Sequence, residues 1–189
     1  MKKKMTKIIL GFVGLIASGK GTACKYLQDE HGAQIFRFSS MLRDVLNRFY
    51  IEQTRENIQT VSSVLRQAFG DDLMAKTIAS DVTNAKTEII AVDGVRRQPD
   101  IKYLSQIPGF YLISITADQK IRWQRITQRG ENADDTKKTL EQFAQDEQKE
   151  AELQIKDVAK LAEFRIDNNG TRQQLYGQIE EILKKISQQ

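Results

Sequence analysis

The sequence predicts an α/β fold, a three-layer sandwich in which a parallel sheet of about five strands lies between helices. Three observations carry this. Apolar runs of strand length recur at KIILGFV (7–13), AQIFRF (33–38), TEIIAVD (87–93), FYLISIT (110–116) and FRID (164–167), with longer helical patterns between them. Strands alternating with helices pair in parallel, since each helix returns the chain across one face of the sheet. The run from Ile89 to Val92 shows no polar alternation, as expected of a strand covered on both faces. Third, the first run leads directly into GLIASGKGT (14–22).

That stretch fits G-x-x-x-x-G-K, with Gly21 where the usual motif has Ser or Thr. Glycine allows backbone N–H groups to approach an anion without a Cβ in the way. A helix beginning here, over TACKYLQDEHG, adds its positive dipole end and unsatisfied first-turn N–H groups. Gly14, Ala17, Ser18, Gly19, Lys20, Gly21 and Thr22 are therefore expected to form a phosphate-binding P-loop, with Lys20 reaching the outer phosphates. Ala17 is acceptable inside the loop if its φ is negative. In the following helix, Cys24 reads as a small buried residue and His31, before Gly32, as C-cap chemistry.

After the second strand, residues 39–86 hold three helical patterns in succession, SSMLRDVLNRFY, RENIQTVSSVLRQAFG and DDLMAKTIASDV. This is too long for a simple crossover and is expected to form a helical flap beside the P-loop. Residues 118–162 form a second, highly charged helical stretch. The expected organisation is one domain over 1–189, with a core of 1–38, 87–117 and 163–189, an acceptor-binding insert at 39–86 and a lid region at 118–162.

Composition narrows the functional classes. The chain has 189 residues, 40% hydrophobic and 29% charged, with a net charge of +4, which suits anionic ligands. There is no long basic block or aromatic-interleaved patch, so nucleic acid is not an expected partner. One cysteine excludes an internal disulfide and points to a reducing compartment. A basic start, an apolar stretch and small residues imitate a signal peptide, but cleavage near Ala17 would destroy the P-loop. No run approaches the ~18 apolar residues of a membrane span. The expectation is a cytoplasmic protein, monomer or homodimer, with small nucleotides as partners.

The motifs together resemble the nucleoside monophosphate kinase branch of P-loop kinases. GKGT (19–22) is similar to adenylate kinases, where glycine likewise follows the lysine, and SSMLRDVL (39–46) resembles their GDMLR segment. VDGVRRQPD (92–100) is similar to the adenylate kinase LDGFPR and closer to the IDGIR of an archaeal-type dephospho-CoA-kinase-like family. That family's R-x-x-R-x-x-x-R-G followed by DD, its acidic helix and its N-x-G segment are matched by RWQRITQRGENADD, FAQDEQKE and IDNNG. Glu131 departs from the basic residue expected there. The resemblance spans essentially the whole chain and implies ATP and Mg²⁺ as cofactors, with Ser39, Arg43, Arg96 and Arg97 near the acceptor.

Individual residues support those roles. Asp93 ends a buried strand at the carboxyl edge, where it either organises Mg²⁺, with Thr22 and partly through water, or caps the turn at Gly94. Arg96 and Arg97 repel one another unless an anion or Asp100 intervenes. Arg43 follows the second strand within a helical turn, where it grips a phosphate or lies exposed near Asp44. Arg122, Arg125 and Arg129 share one helical face, either stabilising a transferring phosphoryl group, Arg125 and Arg129 foremost, or pairing with Asp134 and Asp135. Trp123 reads as packing. The reaction expected is Mg²⁺-dependent transfer of the ATP γ-phosphate to a nucleoside monophosphate, with Lys20, Asp93, Arg125 and Arg129 as the catalytic set. Two alternatives stay open: phosphorylation of a hydroxyl acceptor such as dephospho-CoA, and a P-loop ATPase switch with no small acceptor.

Overall fold

The computed structural model describes residues 7–129, 136, 138–148 and 150–188. In chain order its elements are β1 (Ile8–Val13), α1 (Lys20–His31), β2 (Gln34–Arg37), α2 (Phe38–Arg48), α3 (Arg55–Phe69), α4 (Leu73–Asn84), β3 (Ile89–Val95) and α5 (Gln98–Lys102). A 3-10 turn (Leu104–Gln106) leads to β4 (Phe110–Thr116), α6 (Gln119–Arg129), α7 (Leu140–Asp146), α8 (Glu150–Lys160), β5 (Phe164–Asp167) and α9 (Arg172–Ser187). The five strands form one sheet in the order β2-β3-β1-β4-β5, and every neighbouring pair is parallel.

The sheet's two faces explain why its strands read as unbroken apolar runs. Along β1, Leu10 and Phe12 face one layer with Ala23, Cys24 and Leu27 of α1 and Leu175, Ile179 and Ile182 of α9. Ile9 and Val13 face the other, with Leu42 of α2, Met74, Ile78 and Val82 of α4, and Ile155 and Val158 of α8. Alternate residues point to opposite sides, but both sides are core, so the period of two leaves no polar trace.

Two of the expected boundaries shift. α4 takes its buried residues into the sheet-facing core, as α2 does with Phe38 and Leu42, so the stretch 39–86 is not all flap. The same holds for α8, whose Ile155 and Val158 pack on β1 and β4 within the stretch read as a lid. In both cases the i, i+3, i+4 spacing of large aliphatics fixes the helix to the sheet. No described helix is long and apolar enough to cross a membrane.

α1 and α9 are clamped at the far end from the P-loop. Tyr26 stacks on Tyr176 with centroids 4.1 Å apart and donates its hydroxyl to Glu180 Oε1 at 2.7 Å. His31 Nε2 lies 2.7 Å from the same oxygen, while Gly32, in the left-handed region, closes the helix. His31 is thus an inter-helix contact rather than a cap. The hydrogen bond to Glu180, more than burial, pushes the Tyr26 phenol from the ordinary 10.0 up to about 12.

Because the folded-state value is the higher one, this bond contributes its full stability below about pH 10 and loses it as pH rises through about 12. Phenolate absorbance against pH should show one tyrosine titrating near 12. Tyr26→Phe should remove that component, and Glu180→Ala should bring it back to about 10, the ordinary tyrosine value. A titration with no late component would contradict the clamp.

Candidate active site

β1 emerges between β3 and β4 and passes at once into the loop 14–19. A Cβ on Gly14 would sit 2.3 Å from the Ile115 carbonyl oxygen, so contact with β4 dictates glycine there. Gly19 has φ +112 and begins α1, and a Cβ on it would meet Asn168 Nδ2 at 2.1 Å. That amide donates to the Ser18 carbonyl at 2.7 Å in a buried bond, pinning the loop from the turn after β5. Ala17 has φ +59, against the negative value its side chain favours. The loop's curl requires the left-handed region at this position, and alanine accepts the strain.

α1 has no side-chain cap at Gly19, and its first internal bond runs from Ala23 N to Gly19 O at 3.0 Å. The first-turn N–H groups of Gly21 and Thr22 are thereby left for an anion or water. Lys20 Nζ folds back onto the loop, donating to Gly14 O at 2.6 Å and Leu15 O at 3.0 Å. Ser18 is buried, and its hydroxyl has no hydrogen-bond partner. On the loop's other flank, Gly14, Ser18, Ser114, Arg122, Ile155 and Lys156 line a cavity of about 140 Å³. That is well below the ~300 Å³ of ligand clefts.

Asp93 lies opposite Phe12 and Arg37 in the sheet. β3 does not end there but continues to Val95 through a bulge at Gly94 (φ +90), so Asp93 is a strand residue rather than a turn cap. Its Oδ2 lies 3.1 Å from Arg37 Nε. For magnesium, Asp93 offers a carboxylate at this edge; Gly21 brings no hydroxyl, and Thr22 makes no hydrogen bond to Asp93 among the described residues. No group of three or more metal-ligating side chains occurs among the described residues. Magnesium keeps most of its waters and is commonly held by one or two carboxylates plus substrate phosphates, so Asp93 fits as a holder of a hydrated ion.

Across the sheet edge, Ser39 and Arg43 lie on α2. Arg43 Nη1 donates to the neutral Gln53 amide at 3.0 Å and has no ion pair with Asp44. Arg96 and Arg97 follow β3, and neither pairs with a carboxylate through its guanidinium among the described residues. Asp100 is buried and accepts instead from both their backbone N–H groups, each at 2.9 Å, while its Oδ1 has no partner. Burial holds the Asp100 carboxyl above the usual range, against the two N–H bonds that lower it. Arg66 of α3 is near enough to feel both Arg97 and Asp100, and burial lowers its pKa first.

The three arginines of α6 separate. Arg122 is buried against Glu147, donates to Ala117 O at 2.8 Å and reaches the P-loop at Ile16 O, 3.4 Å away. Arg125 Nη2 donates to Asn168 O at 2.8 Å, and its Nη1 is buried with no hydrogen-bond partner. Burial lowers its pKa. Arg129 is exposed at the end of the helix. They are therefore not one cationic face: Arg122 is a structural tie, and α6 turns it into the core beside Ile126. Trp123 Nε1 donates to Lys138 O at 2.8 Å, as packing requires. Glu131, Asp134 and Asp135 lie outside the described residues.

Sequence reasoning missed Arg37, Arg66, Glu147 and Asn168. Asn168 had a signal, a polar residue at a strand exit within IDNNG; Glu147 had none, since its partner lies 25 residues away.

Comparison with known proteins agrees with this architecture. Residues 13–143 match the AAA domain family. The chain is similar to a UPF0200 protein of Sulfurisphaera tokodaii, 30% identical over 94% of this chain and 97% of the relative. It is also similar to a UPF0200 protein of Methanosarcina barkeri, 28% identical over 96% and 97%. Among solved structures, TT1252 from Thermus thermophilus superposes with a TM-score of 0.61 at 13% identity, covering 95% of this chain and 98% of that one. A shikimate kinase from Acinetobacter baumannii in complex with shikimate gives 0.58 at 15% identity, covering 96% of each. These likenesses establish the fold.

Ala17→Gly should stabilise the protein by about 0.5–1 kcal/mol in urea unfolding, the relief of left-handed strain less the entropy glycine adds to the unfolded chain. Gly19→Ala should cost about 1–3 kcal/mol, since it meets both positive φ and Asn168. Equal effects of opposite sign at the two positions are not expected; a destabilised Ala17→Gly would contradict the loop geometry.

Proposed function

Since the chain belongs to the UPF0200 family and carries an AAA domain with the P-loop kinase fold, we propose that it transfers the γ-phosphate of ATP to a nucleoside monophosphate. The observation that carries this is the arginine turn after β3. A buried carboxylate, Asp100, holds the backbone of Arg96 and Arg97 at the carboxyl edge of the strand beside β1. Both guanidiniums are thereby left for an anion near the P-loop. Arg43, bonded only to an amide, offers a third cation on the same side.

In this reading, the loop N–H groups and the start of α1 hold the ATP phosphates. Lys20 leaves the Gly14 and Leu15 carbonyls for the outer phosphates, where a charge-assisted bond replaces them. Magnesium, bound with ATP, would neutralise charge on the phosphates, and Asp93 would hold it, partly through water, with Thr22 nearby. Ser39, Arg43, Arg96 and Arg97 take the acceptor. Arg125 and Arg129 act from α6, Arg125 held by its Nη2 bond to the Asn168 carbonyl and with a buried Nη1 that has no hydrogen-bond partner.

A monophosphate oxygen is anionic and needs no general base, whereas a hydroxyl acceptor benefits from one. Asp93 is bonded to Arg37 and Asp100 to backbone N–H groups, which favours the monophosphate over a dephospho-CoA-like hydroxyl. In this reading acceptor recognition belongs to the insert at 39–86 and lid action to the region 118–162, although α4 and α8 within them also pack on the sheet.

The test is a coupled assay with ATP against ribo- and deoxynucleoside monophosphates and dephospho-CoA. Lys20→Ala should lower turnover on the order of 100-fold or more without unfolding the chain. Arg43→Ala should raise KM for the monophosphate by about 10–100-fold, the loss of roughly 1.5–3 kcal/mol of charge-assisted bonding, with KM for ATP nearly unchanged. Turnover only with dephospho-CoA, or acceptor-independent ATP hydrolysis, would replace this reading with one of its alternatives.

A further inference from the structure

Arg37 is the last residue of β2 and stands in register with Asp93 of β3. In adjacent parallel strands, residues in register project to the same face, so the backbone itself brings the two side chains together. The ion pair, Nε to Oδ2 at 3.1 Å, is the result. Its members are unequal: the Asp93 side chain is 16% exposed and that of Arg37 46%. The carboxylate is fixed in the sheet, and the guanidinium approaches it from the open edge.

The P-loop faces the same guanidinium. The nearest atom to a Cβ built on Gly21 is Arg37 Nη2, at 3.8 Å. The space that a Ser or Thr side chain would fill after the P-loop lysine is bounded here by a cation. Beneath it, the buried Cys24 thiol is raised first by desolvation, and the charges that bear on it are Asp93, Arg37 and Lys20, which places all three around the first turns of α1.

We infer that Arg37 is a positioning residue that competes with a divalent cation for Asp93 and so sets the metal concentration this site needs to bind a nucleotide. The inference rests on the nucleotide reading above. A cation bound with the phosphates and held by Asp93 would draw on the carboxylate whose Oδ2 Arg37 uses now. Arg37 must then withdraw toward solvent, where nearly half of its side chain already lies. When no metal is present, Arg37 remains beside the P-loop as a fixed positive charge next to Lys20. The pairing of an absent hydroxyl at 21 with an arginine at 37 is then one arrangement, not two departures.

The experiment uses the full chain and a fluorescent, non-hydrolysable ATP analogue, whose equilibrium binding is measured against magnesium concentration. Arg37→Gln should lower the half-saturating magnesium by about three- to fivefold, the upper scale of one partly exposed charge pair. Arg37→Lys, which keeps the charge but not the Nε contact, should fall between. Asp93→Asn should raise the half-saturating concentration, and adding Arg37→Gln to it should have no further effect. In EDTA, Arg37→Gln should bind the analogue several-fold more weakly than the wild-type chain. A magnesium midpoint within twofold of wild type in Arg37→Gln would overturn the inference, as would an equal shift on the Asp93→Asn background. If Arg37→Gln does not fold, Arg37→Lys decides by the same midpoint. Absence of analogue binding to the wild-type chain, with or without magnesium, would instead overturn the nucleotide reading from which the inference starts.

Discussion

The parallel register of β2, β3 and β1 is the constraint on which the site depends. It places Arg37, Asp93 and Phe12 in one row across adjacent strands. Phe12 points into the core with α1 and α9, and this row lies near the carboxyl ends of the strands. Because all strands run the same way, the P-loop, α2 and the arginine turn leave the sheet at one edge. A slip of one residue between β2 and β3 would turn Arg37 to the opposite face and leave Asp93 without its cation. Burial on both faces opposes such a slip, since it would exchange apolar side chains between two filled layers.

The cations at this edge are divided between holding the structure and remaining available. Arg122 is spent entirely: its carboxylate partner and two backbone carbonyls are inside the protein. Breaking such a buried pair costs more than its formation contributes, because the survivor is left as an uncompensated charge. Arg43, Arg96 and Arg97 are held by weaker means, a neutral amide in one case and backbone anchoring in the others. Asp100 makes that possible. It fixes the turn without neutralising the guanidiniums, at the expense of a buried oxygen with no partner.

Much of the fold was legible in the residues. The runs FYLISIT and FRID coincide with β4 and β5, and the Gly14 to Lys20 spacing located the loop. Other features were not legible, for identifiable reasons. Alanine favours negative φ, so nothing in the sequence pattern pointed to the left-handed Ala17 that the loop's curl imposes. Helical spacing placed Arg122, Arg125 and Arg129 on one side of α6, but Arg122 and Arg129 lie two turns, about 10 Å, apart along the axis, so one enters the core while the other reaches solvent at the helix end. Arg37 lay inside an apolar strand run, where nothing local shows which residue faces it. The core roles of α4 and α8 were encoded in Met74, Ile78 and Val82 and in Ile155 and Val158, but charged neighbours masked the pattern.

The single thiol lies wholly inside this arrangement. Cys24 is fully buried in α1, under the turn that faces Arg37 and Asp93, and the chain has one cysteine. An alkylating reagent can reach it only when α1 lifts from the sheet, so its labelling rate reads the frequency of that local opening directly. Any anion that settles on the helix start must slow this clock, because it adds its binding energy to the closed form alone. The protein thus carries its own reporter of occupancy, one that requires no knowledge of the ligand's identity.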